Sequence, residues 1–64
     1  MESPMFKMLC CRVDMLAWLN EINHFGKERF VTDVLNAIVI NINDISLEEW
    51  IELCKYIKCK CERL

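Results

Sequence analysis

Glycine and proline occur once each in the 64 residues. That scarcity excludes collagen-like, loop-rich and disordered chains, which depend on one residue or both. It also excludes a glycine-rich phosphate cradle, because a single glycine cannot make G-x-G-x-x-G or a P-loop. Basic charge is not in excess: the formal net charge is −2 and the pI about 5.2. Nucleic-acid binders normally carry a basic face or a high pI, so DNA, RNA and anionic membranes are not expected as main partners. No apolar run approaches the roughly 18 residues that span a bilayer. Residues 1–4 lack the basic region of a signal peptide, and Lys7, Arg12 and Asp14 interrupt the apolar residues after them. The expected location is the cytoplasm, or the host cytoplasm for a virally encoded chain. Size and plainness fit a phage or mobile-element regulator.

What is abundant is apolar surface. The chain is 55% hydrophobic, above the roughly 45–50% of ordinary globular domains. A chain this short buries only about 60% of its unfolded surface. Three short helices cannot hide so many apolar side chains, which predicts a face for self-association or for a partner.

Helical spacing accounts for nearly the whole sequence. Ser3 is a favoured N-cap and Pro4 a favoured first helical residue. Phe6, Leu9, Cys10, Val13, Leu16 and Ala17 come after them at helical intervals. A helix over residues 4–23 is expected, about 30 Å long at 1.5 Å per residue. A short strand over residues 5–13, with Asp14 capping a shorter helix, is the alternative. His24, Phe25 and Gly26 end this helix, glycine being the usual left-handed residue there. A second helix is expected over residues 27–40, with Glu28, Arg29, Thr32, Asp33 and Asn36 on one wet face. Phe30, Val31, Val34, Leu35 and Ile38 lie opposite. Ile40 continues the row of Thr32 and Asn36, so this helix ends apolar all round; a short strand over residues 39–42 is the alternative for that end. Residues 41–45 form a polar link. Ser46-Leu47-Glu48-Glu49 reads as a capping box, and Ile45 with Trp50 as a hydrophobic staple. Leu47, Trp50, Ile51, Cys54, Ile57 and Cys61 are the expected inner stripe of the third helix. Acidic residues open that helix and Lys55, Lys58 and Lys60 close it, in the order its dipole favours. Short connections make neighbours antiparallel. The expected fold is therefore all-α: one domain over residues 1–64, a compact up-down-up three-helix bundle.

Chemistry-bearing groups are few. Five cysteines, an odd number, do not suit a secreted disulfide scaffold. Cys59-Lys60-Cys61 is too tight for a zinc pair, Cys54 to Cys59 is too long, and the adjacent Cys10 and Cys11 cannot both face one ion from a helix. Metal ligation is thus not expected, and the thiols are read as core and boundary residues. His24, the single histidine, suits a helix C-terminus, and no cysteine–histidine nucleophile is expected. A body this small is expected to lack a substrate pocket of the usual roughly 300–1,000 Å³. Neither catalysis nor a cofactor is expected. The two helices around His24-Phe25-Gly26 allow a helix-turn-helix reading, but Glu28 and Asp33 beside Arg29 would repel phosphates. A DNA-binding regulator remains the second reading and a zinc-stabilised module the third. The leading reading is a non-enzymatic module, a small regulator or inhibitor that docks an apolar helix face on a partner protein, on a second copy as a homodimer, or on both. Its expected contact residues are Met15, Trp18, Leu19 and Ile22 on the first helix, Ile40 at the end of the second, and Leu53 with Tyr56 beside the stripe of the third. Aromatic and methionine side chains are enriched at such interfaces.

Overall fold

Ser3 opens the first helix in the computed structural model, which describes residues 3–64. Met1 and Glu2, part of the segment read for a signal peptide, lie outside them. Helix α1 spans Pro4–Asn23. The Ser3 hydroxyl accepts the Phe6 amide at 3.2 Å, which satisfies one of the amides a helix start leaves unpaired. Because that cap is made and Phe6, Leu9 and Val13 all turn inward, residues 5–13 are helical. The strand alternative for them is wrong.

The left-handed residue that ends α1 is His24 (φ 55°), not Gly26. The carbonyl of Asn20 accepts the amides of both His24 and Phe25. Gly26 is needed two positions later, at φ 94°, where it caps the next helix in a conformation L side chains rarely adopt. Asn20 is the one buried polar side chain among the described residues. Its amide donates to the Gly26 carbonyl at 2.7 Å and thereby fixes the turn.

Helix α2 spans Lys27–Val39, with Ile40 as its C-cap. Turns rather than a strand carry the chain through residues 40–43. Helix α3 spans Leu47–Glu62 and opens with the expected capping box: the Ser46 hydroxyl accepts the Glu49 amide at 3.2 Å, and the Glu49 carboxylate accepts the Ser46 amide at 3.1 Å. Ile45 and Trp50 both pack against the core from its edge. The Trp50 indole N–H donates to the Ile42 carbonyl at 3.0 Å, tying the link to α3.

Three helices and no strand make up the described residues. Phe6, Leu9 and Val13 of α1 meet Phe30, Val34 and Ile38 of α2 and Leu53 of α3 in one core. Each such side chain contributes about 1.5–3 kcal/mol when fully buried. Helix α1 packs on both partners, which touch each other least. Helices α1 and α3 run parallel: the Glu49 carboxylate accepts the Ser3 amide at 2.8 Å near their starts, and Lys60 pairs with Asp14 at 3.0 Å an equal number of residues along both. Helix α2 runs antiparallel to both, which gives the up-down-up order.

Helix α3 is rolled relative to the expected stripe, of which Trp50, Ile57 and Cys61 pack against the core and the other half does not. Leu53 is fully buried (0% exposed), whereas Leu47 is 76% exposed and Ile51 and Cys54 also face out. The row that turns toward α1 is Glu49, Leu53, Tyr56 and Lys60. Three of these are also tied by polar bonds to α1 or its cap, in keeping with the roll that buries Leu53. Leu53 is therefore a core residue and not a docking residue. In α2 the core row is Phe30, Val34 and Ile38, while Val31 and Leu35 stay exposed beside it.

Candidate protein-docking surface

Helix α1 carries apolar side chains on two nearly opposite faces. Its inner face holds Phe6, Leu9 and Val13, with Leu16 and Ala17 packed against the core. Its outer face holds Met15, Trp18, Leu19 and Ile22, all exposed, with Trp18 at 60%. These recur at intervals of three and four residues, so they form one stripe. Met8, exposed and seven residues before Met15, extends the stripe toward the N-terminus. Cys11 lies between them and is also exposed. Together Met8, Met15, Trp18, Leu19 and Ile22 present on the order of 500 Å² of apolar surface, near the top of the range for the largest patch of a soluble monomer.

The other expected contact residues separate. Ile40 is 79% exposed and stands at the α1–α2 groove, which it lines with Met8, Leu19 and Phe25. Tyr56 is half-buried at the α1–α3 seam, away from Leu19 and Ile40.

A second apolar face went unread in the sequence. Val31, Leu35 and Val39 form an exposed row along α2, and Leu47 and Ile51 form another along α3. Both rows lie on the sides by which these antiparallel helices adjoin, and Ile42 of the link is exposed at their shared end. The signal was present as a surplus: α2 has five apolar residues on its dry face and the core takes three.

Polar bonds tie α1 and its cap to α3. The Tyr56 hydroxyl donates to the Asp14 carboxylate, which also pairs with Lys60 at 3.0 Å. The Lys60 ammonium lies 5.4 Å from the Tyr56 ring centre. The bond to Asp14, with some burial, pushes the Tyr56 phenol up to about 12. The same bond from Tyr56, then Lys60, holds Asp14 below the usual carboxylate range. Glu49 is likewise lowered, first by the Ser3 amide and then by the Ser46 amide. A phenol held this firmly protonated is a donor and not a base near neutral pH.

The α1–α2 groove is open to solvent, spans about 530 Å³ and is lined by Arg12, Asn20, Arg29, Asp33, Asn36 and Asn41 besides its apolar residues. The volume reaches the substrate-pocket range that a body of this size was expected to lack, in an open groove. Arg29 there is engaged: it bonds Asp33 at 3.2 Å and lies 4.5 Å from the Phe25 ring centre. This is the arginine a helix-turn-helix reading of α2 would spend on phosphate. The five cysteine side chains are thiols. Among the described residues no three histidine, cysteine, aspartate or glutamate side chains are grouped so as to share an ion, and no helix is long and apolar enough to cross a membrane.

Fold and surface together define a small three-helix domain with two exposed apolar faces. No protein-family model, curated protein or solved structure matches the chain.

Proposed function

We propose that the chain is a non-catalytic protein-interaction module, a small cytoplasmic regulator or inhibitor that works by burying the outer face of α1 against a protein surface. One observation carries this reading: α1 is apolar on both sides, and only one side is used by the fold. A contiguous exposed apolar face of this size on a small domain marks an interaction site. Large aromatic and methionine side chains at the centre of a patch are the usual anchors of protein interfaces. The titratable groups nearest to a cluster, Asp14, Tyr56 and Lys60, satisfy one another and brace α1 against α3.

The test compares wild type with Met15→Glu/Trp18→Glu, two exposed positions whose replacement leaves the core intact. Sedimentation and affinity capture from the native cell are run on both proteins. Wild type is expected to associate, with itself or with another protein, and the double variant to lose that association while keeping its helical circular dichroism. Identical association by both proteins refutes the reading.

A further inference from the structure

The stripe on α1 is bordered, on the edge toward α3, by Lys7, Asp14 and Glu21, spaced at one heptad. The order is basic, acidic, acidic from the N-terminal to the C-terminal end. Asp14 in the middle is already compensated by Lys60 at 3.0 Å. Among the described residues, Lys7 and Glu21 make no ion pair. Such an edge complements itself in one orientation only. In two helices packed antiparallel through the same face, like edges lie side by side and opposite ends meet. A two-fold axis at the level of Asp14 then sets Lys7 of each copy against Glu21 of the other. The apolar stripe obeys the same axis to within one residue: Met8 falls opposite Ile22, Cys11 opposite Trp18, and Met15 beside its own symmetry mate. A parallel pairing gains neither match.

From this self-complementarity we infer that the outer face of α1 takes a second copy of this chain, in an isologous dimer whose two α1 helices pack antiparallel across a two-fold axis near Asp14 and Met15. The inference rests on the docking reading of α1 given above and names its occupant. Charge complementarity fixes orientation more than affinity, and the apolar stripe supplies the area. Two such stripes approach the roughly 1,200–1,600 Å² of a specific interface once their polar borders are included.

The experiment is sedimentation velocity of the full chain over a wide concentration range, with charge reversals on the border. Wild type is expected at twice the chain mass of 7.7 kDa. Lys7→Glu and Glu21→Lys alone are each expected to weaken the dimer on the order of tenfold, since each turns two symmetric attractions into repulsions. Lys7→Glu/Glu21→Lys combined is expected to regain most of the wild-type affinity, because the pairs are restored with their signs exchanged. Circular dichroism checks that each variant folds. A monomeric wild type at high concentration overturns the inference, as does a dimer that ignores Met15→Glu/Trp18→Glu. A combined variant no better than the single ones overturns the antiparallel geometry. A monomer that still captures another protein through Trp18 would overturn the dimer alone and leave the docking reading standing.

Discussion

At the residue scale, Tyr56 and Leu53 report how α3 is rolled against α1. Tyr56 is the one tyrosine in the chain, so its ionisation can be followed directly by ultraviolet absorbance. The phenol is expected to titrate near 12 in wild type and to return toward the ordinary value of about 10 in Asp14→Asn. A phenol raised on folding contributes stability that is complete below about pH 10 and is lost as pH climbs toward 12. Equal titration of both proteins would refute the Asp14–Tyr56 bond. The same roll separates two leucines of α3. Leu53→Ala is expected to cost about 2–5 kcal/mol, as for other buried leucines, whereas Leu47→Ala, at an exposed position, should fall within about 0.5 kcal/mol. Chemical denaturation measures both, and the reverse order would restore the stripe through Leu47.

At the scale of elements, the boundaries were legible because helix starts obey local chemistry. Ser3 before Pro4 and Ser46 before Glu49 are caps visible in four residues of sequence, and both form as expected. Ser46→Ala is expected to cost about 1 kcal/mol in thermal or denaturant melts, and an unchanged melt would show the box to be idle. Acid should find the same joint. Glu49 and Asp14 both ionise more readily in the folded chain, so their contribution is present above the ordinary carboxylate range and is lost as pH falls through it. A melting temperature flat down to pH 3 would contradict that. What was not legible is orientation about the helix axis. Glu49 and Lys60 read as capping and dipole residues and Tyr56 as a docking contact, yet their long-range partners Ser3 and Asp14 lie on the α1 side. The left-handed turn at His24 was hidden likewise, because it depends on Asn20 reaching Gly26. Of the expected contact residues, Met15, Trp18, Leu19 and Ile22 emerged together because an outer helical stripe needs only periodicity. Leu53 was misplaced because its burial depends on the roll.

The whole molecule exposes 4796 Å², somewhat more than the about 4,300 Å² expected for a folded monomer of its mass. The excess agrees with two uncovered apolar faces on one small body. They lie on different helices, so an occupant of α1 leaves the α2–α3 face open. Val31, Leu35, Val39, Leu47 and Ile51 there belong to rows that the core touches only at their edge. A dimer formed through α1 would carry two copies of this second face, free to engage a different protein. Leu35→Glu/Ile51→Lys removes its centre without entering the core. The variant is expected to keep its self-association and its melting temperature within a few degrees, and to lose any heterologous protein that wild type retains in affinity capture. Retention of the same protein by this variant, together with its loss on Trp18→Glu, would move that protein to the α1 face and leave the α2–α3 rows as plain boundary surface.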